Sequence, residues 1–348
     1  TEVAQQQAAR VINRFMNGEG IGQVILSASD TQLTTMLAEC YERAWKPGDE
    51  IILCESGHEA NIGPWMRLER YGAIIKWWKV DPTTGSHSYA DLKQLLTDRT
   101  RLVAMVHVSN LLGEIVDLQR VCELAHVADA RVVADGVAFA PHRAIDVKQW
   151  GVDWYSYSTY KVFGPHMAAL FGTNEAMAEL DGPNHFFIPK TDVPYKFELG
   201  GASHEGCAGL LALGDYLKFI AGDDHSKPID RATIDRAWSV MTQLELPLQE
   251  RLIDFLRSRE DVRLIGPAHG KPTRVPTISF THRNKSSASI AKAINARGFG
   301  MRSGHMYAYR LCKAMGINTN DCVVRISMVH YNTLDEIDRL IDVLNDVL

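Results

Sequence analysis

The chain has 348 residues, of which 46% are hydrophobic and 23% charged, and a formal net charge of −5. That length gives room for two domains and a sizeable core, and the composition is ordinary for a soluble globular protein. The acidic balance and the lack of any dense Lys/Arg run argue against a nucleic-acid partner, and no stretch reads as a membrane span or a secretory leader.

Val3, Ala8, Val11, Ile12 and Phe15 fall near helical spacing, so residues 1–15 read as an amphipathic helix, ended by Gly18, Gly20 and Gly22. Val24-Ile25-Leu26 predicts a buried strand. It runs into Ser27-Ala28-Ser29-Asp30-Thr31 and a helix with Leu33, Met36, Leu37, Cys40 and Tyr41 on its apolar face. This succession offers backbone N–H groups and a helix-dipole end to an anion. It equally describes a plain N-cap at Ser29 or Asp30. Residues 46–49 form a turn and 50–54 a strand, after which Ser56-Gly57-His58-Glu59-Ala60-Asn61 opens a helix containing Trp65. Residues 73–80 read as a strand, 90–96 as a helix and 100–108 as a buried strand that ends in His107-Val108-Ser109-Asn110. A helix over 118–126 leads to Val132-Val133, a short strand ending on Asp135. The apolar run 154–157 then meets Ser158-Thr159-Tyr160-Lys161, followed by Gly164-Pro165-His166 and a strand-like run over 167–171.

Strands alternating with helices from residue 20 to 175 imply a largely parallel α/β sheet, with ligands at successive strand ends. Beyond Thr173 the pattern loosens. Pro183, Pro189 and Pro194 mark a long loop over 181–196. Helices follow over 210–220 and 230–258, the second carrying Pro247 as an expected kink or break. Strands at 276–281 and 323–329, a helix over 287–297 and a final amphipathic helix over 334–348 make a small α+β unit. The expected division is a large domain over 20–220 and a small one comprising 1–19, with the N-terminal helix, and 221–348. Cys40, Cys54, Cys122, Cys207, Cys312 and Cys322 show no CxxC and no metal-ligand spacing. They read as reduced core thiols of a cytoplasmic protein with no metal site. The sequence begins at Thr1 and not at a methionine, which leaves room for residues upstream.

A carboxylate at one strand end, Asp135, and a hydroxyl-flanked lysine at another, Lys161, are what a pyridoxal phosphate (PLP) site requires: an amine for the aldehyde and a partner for the ring nitrogen. With Tyr160-Lys161 and Gly164-Pro165-His166, this segment resembles the cofactor region of the class V aminotransferase and cysteine desulfurase family. The family has the fold type I architecture, a mostly parallel α/β large domain plus an α+β C-terminal domain. The resemblance implies that Lys161 carries PLP as a Schiff base and acts as general acid/base, Asp135 pairs with the pyridinium, and His58 stacks on the ring. It implies further that Thr31, Ser158 and Tyr160 hold the phosphate, that Asn110 bonds the ring oxygen, and that Arg325 clamps a substrate carboxylate with Arg302 as second contact. Asp30, beside the phosphate-binding turn, is expected to serve as the cap. The family also builds its sites across a homodimer interface.

Three positions depart from the family pattern. Tyr307 stands where desulfurases carry the sulfur-accepting cysteine, five residues after the arginine matching Arg302. Ala138 replaces a glutamine that contacts the phenolic oxygen, and Gly201 replaces a threonine of the neighbouring subunit's phosphate site, leaving only backbone donors. The expectation is an enzyme on a small amino-acid substrate, with a Cβ–S or other β-leaving-group lyase as the first reading. Decarboxylative carbon–carbon bond formation from aspartate, transamination, epimerisation and a non-catalytic PLP-binding paralogue remain open.

Overall fold

The computed structural model describes residues 2–348; Thr1, the first residue of the predicted N-terminal helix, lies outside them. Seven strands make one sheet: β1 (Gly22–Ser27), β2 (Glu50–Cys54), β3 (Ile74–Trp78), β4 (Thr100–Val106), β5 (Arg131–Asp135), β6 (Trp154–Ser158) and β7 (Ala168–Thr173), in the order β1-β7-β6-β5-β4-β2-β3. β7 runs antiparallel to both its neighbours, and the remaining pairings are parallel. A second sheet, fully antiparallel, has the order β10-β11-β9-β8, from β8 (Val262–Ile265), β9 (Thr277–His282), β10 (Arg302–Gly304) and β11 (Val323–Ser327).

Both faces of the large sheet are covered, which is why β2 and β6 are buried at every residue. Helix α1 (Glu2–Phe15) packs on one face, where Phe15 meets Trp238 edge-on at 4.9 Å and Tyr157 at 5.7 Å. Its stripe of Ala8, Ile12 and Phe15 thus belongs to the large-sheet core, a different grouping from the small domain expected from sequence. Helix α2 (Asp30–Ala44) covers the opposite face with Leu33, Leu37 and Tyr41. Among the described residues no helix is long and apolar enough to cross a membrane.

Helix α3 (Arg231–Arg257) joins the two cores. Ile234, Ala237, Trp238 and Met241 pack under the large sheet, whereas Leu248, Leu252 and Leu256 pack under the small one. Pro247 lies inside this unbroken helix, so it marks no chain break, and the helix gives up one backbone N–H there. Two residues earlier Glu245 is fully buried; it accepts from His142 Nδ1 at 2.9 Å and Arg143 Nη1 at 3.3 Å, both on the loop after β5. Removing the carboxylate leaves the half-buried Arg143 guanidinium with backbone acceptors but no counter-charge, a loss of about 3 kcal/mol. Glu245→Ala is therefore expected to lower unfolding free energy by that order in a urea melt, with Glu245→Gln milder. A loss below about 1 kcal/mol, the range of a surface pair, would contradict this role.

Candidate active site

Alternation along β5 and β6 builds the floor of the site. Val132 and Ala134 belong to the core under α1, and Val133 to the core under α2, so Asp135 shares the α2 face. Ser156 is the register partner of Asp135 on β6, where Tyr155 and Tyr157 point to the α1 side. Asp135 is 6% exposed, and its Oδ1 accepts from Val137 N at 2.9 Å. Gly136 is required here, because a Cβ would lie 2.3 Å from the Tyr155 ring. Behind the aspartate, Tyr155 and His107 Nδ1 are hydrogen-bonded at 3.0 Å, and His107 stacks on Phe139 at 3.8 Å. Ser158 is buried at the end of β6, and Lys161 closes the short 3-10 turn Thr159–Lys161 with an exposed side chain.

Asp30 differs from the expectation. Ser29 is the N-cap of α2, accepting from Gln32 N at 3.3 Å. Asp30 is the first helical residue, 7% exposed, with Oδ1 buried and unpartnered. A serine hydroxyl reaches the free N–H groups from outside the helix, which leaves the next side chain to turn inward. Burial and the Asp135 carboxylate push the Asp30 carboxyl up to about 7, against the pull of the Ser156 hydroxyl and the Lys161 ammonium. Burial also raises Asp135, against the Val137 N–H and Lys161.

His58 faces the same ammonium. Its Nδ1 accepts from Ala60 N at 3.1 Å, which places the ring proton on Nε2. Burial, Lys161 and Arg325 together depress it to about 4, so the ring is neutral near pH 7. Arg325 lies opposite Arg302 in the β10–β11 register and donates Nη1 to the Asn110 carbonyl at 3.2 Å. Asn110 in turn donates Nδ2 to Met306 O at 2.7 Å, while its Oδ1 is buried without a partner. Lys161, Asp135, Asp30, His58, Asn110 and Arg325 thus form one cluster, with the exposed Arg302 at its edge.

Thr31 and Gly201 stand apart from it. They line a cavity of about 500 Å³ between the end of β1, the start of α2 and residues 197–203, and neither Lys161 nor Asp135 reaches its wall. Tyr160 lies between the two regions: its ring stacks on His166 of that cavity at 4.4 Å, and Lys161 Nζ is 5.5 Å from its centroid. Ala138 is half-buried behind Asp135 and offers a methyl group alone. Tyr307 is 66% exposed, with its ring 5.1 Å from that of His58.

Sequence reading did not single out Ser156 or the clamp between Glu59 and Arg310, whose Nη2–Oε1 distance is 3.1 Å. Period-two alternation from Asp135's partner strand would have found the serine. No local signal joins residues 251 positions apart.

These groups fit PLP. Asp135 is a buried acceptor for a ring N–H, Lys161 an accessible amine and His58 a flat neutral face. The orphaned Oδ1 atoms of Asp30 and Asn110 lack the partners that buried polar groups ordinarily have. The sequence matches the aminotransferase class-V family over residues 1–340. It is 38% identical to the aminotransferase-like protein FGM3 of Gibberella zeae, covering 99% of this chain and 82% of that one. It is 32% identical to the cysteine desulfurase-like protein ustD of Aspergillus flavus, covering 91% and 72%. The fold superimposes on the cysteine desulfurase CsdA of Escherichia coli with a TM-score of 0.84 at 24% identity, over 99% of this chain and 84% of that one. The chain belongs to the class V aminotransferase family of PLP-dependent enzymes.

Proposed function

We propose that the protein is an amino-acid lyase that breaks a bond at Cβ and releases the leaving group to solvent. Bound PLP supplies the electron sink that weakens bonds at Cα and Cβ. Lys161 holds the cofactor aldehyde and then moves the proton at Cα. Asp135 would hold the ring N–H, and neutral His58 would offer its flat face to the ring. Arg325 orients the α-carboxylate with a guanidinium fork. Ser158 takes the phosphate with Tyr160, whose ring borders the neighbouring cavity that Thr31 lines. In a homodimer of the family's kind, the exposed stretch around Gly201 would offer backbone N–H groups to the neighbouring subunit's phosphate.

One observation carries the reading: beside His58 stands the phenol of Tyr307, which holds no sulfur as a persulfide. Cys312, five residues on, is fully buried in the core and gives no alternative carrier. A second reading is favoured by the Arg302–Arg325 pair, two like charges opposite each other across β10 and β11. Such a pair suits a dicarboxylate, which fits aspartate losing CO₂ and adding its Cβ to an aldehyde.

Turnover with cysteine, its sulfoxides and selenocysteine is expected to give pyruvate, alanine or a sulfur product. CO₂ from carboxyl-labelled aspartate, with no such product, would replace the first reading by the second. Arg325→Ala is expected to raise KM for the amino acid by roughly 10–100-fold, the worth of a charge-assisted hydrogen bond. Lys161→Ala is expected to abolish the visible absorbance of the loaded protein; a band that survives would overturn the lysine's role.

The buried carboxyl of Asp30 makes a separate prediction. The unfolded chain releases this proton near the ordinary aspartate value of about 4, the folded chain only at about 7. The folded state therefore loses stability as pH rises across that window, after which the loss is constant. Cofactor-free Asp30→Asn is expected to melt like the wild type at pH 4 and several degrees higher at pH 8. Equal melting temperatures at both would show that Asp30 ionises freely.

A further inference from the structure

The turn at residues 304–310 is fixed far more firmly than its exposure requires. Met306 and Tyr307 both hold left-handed backbone, with φ of 47° and 63°, a conformation that side-chain-bearing residues adopt only when their surroundings enforce it. The enforcement comes from the large sheet. Glu59 N donates to Tyr307 O at 2.9 Å, and Asn110 Nδ2 donates to Met306 O at 2.7 Å. Arg310 grips both oxygens of Glu59 at 3.1 and 3.2 Å, with its guanidinium 5.0 Å from the Trp77 ring centroid. A turn so held does not swing a reactive side chain across the site. It presents Tyr307 as a fixed wall.

The wall carries hydrogen-bond donors. His58 and His305 each accept a backbone N–H at Nδ1, from Ala60 and Tyr307 respectively, both at 3.1 Å, so each carries its proton on Nε2. The two imidazoles lie 5.1 and 6.3 Å from the Tyr307 ring. The nearest carboxylate on the turn's anchor, Glu59, is already engaged by Arg310. The Tyr307 ring stands beside His58 and His305 with its exposed O–H able to donate, and a ligand oxygen accepts that bond where a methyl group does not.

We propose that Tyr307 is a specificity-determining residue that contacts the substrate, its O–H donating to an oxygen carried beyond Cβ. The site thereby selects amino acids ending in a carboxylate or sulfinate over those ending in a methyl group. This selectivity rests on the reading of the site as an amino-acid site.

The test is a titration of the PLP-loaded protein with alanine, 2-aminobutyrate, aspartate and cysteine sulfinate, followed by visible absorbance. Tyr307→Phe is expected to raise the apparent Kd for aspartate and cysteine sulfinate about tenfold, the worth of one hydrogen bond, and to leave the other two within about twofold. Arg310→Ala, which frees the turn with the phenol intact, is expected to weaken the same two ligands in the same direction. If Tyr307→Phe moves all four ligands equally, or none, while the wild type still binds alanine, the role of Tyr307 is overturned and the amino-acid site stands. If the wild type shows its cofactor band but responds to none of the four, the amino-acid reading fails and the selectivity falls with it.

Discussion

The register of β5 against β6 is the constraint on which the site depends. Asp135 faces α2 because Val133 does, and Ser156 faces it because the two strands pair Asp135 with Ser156. A slip of one residue would carry the aspartate to the α1 side, against Tyr155 and Tyr157, and turn Val132 and Ala134 out of that core. Several contacts resist that slip. The ring of Tyr155 fills the space a side chain at Gly136 would need, and Trp154 does the same at Gly172 across β6 and β7. The bond between Tyr155 and His107 ties β6 to the end of β4 at 3.0 Å. The acid's position is thus a consequence of aromatic packing on the far face of the sheet.

Charge balance follows from that placement. Asp30 and Asp135 face one ammonium, Lys161, with little water to screen them, and each acid opposes ionisation of the other. On the other side Lys161 and Arg325 both oppose protonation of His58, and burial adds to them. The same lysine therefore stabilises two acids as anions and keeps a histidine neutral. A neutral imidazole with Nδ1 committed to Ala60 is a donor at Nε2 and a flat apolar face, as a cofactor ring requires.

The alternation of strands and helices made the sheet legible, and family resemblance made Lys161, Asp135, His58 and Arg325 legible as candidates. What remained hidden is instructive. The apolar stripe of α1 states that one face is buried but not which core receives it, so Ala8, Ile12 and Phe15 gave no hint of Trp238. Ser29 and Asp30 are both good caps, and the choice between them is made by the pocket behind α2, which draws in the second residue. Pro247 breaks helices in isolation, yet here apolar residues on both sides of it are buried in two cores and hold the helix continuous. In that case tertiary packing outweighs local propensity.

Asn110 shows how the two sheets are made to act as one site. Its backbone carbonyl accepts from Arg325, and its side-chain amide donates to Met306, so one residue at the end of β4 fixes both a β11 side chain and the turn that carries Tyr307. The bond to Arg325 uses one of five guanidinium donors and leaves the others to meet a carboxylate. An arginine already oriented loses less freedom when it binds, and the cost of ordering it is met by the fold before any ligand arrives. Burial lowers the Arg325 pKa and the like charge of Arg302, opposite it in the strand register, lowers it further, so an anion placed between the two guanidiniums would offset both costs.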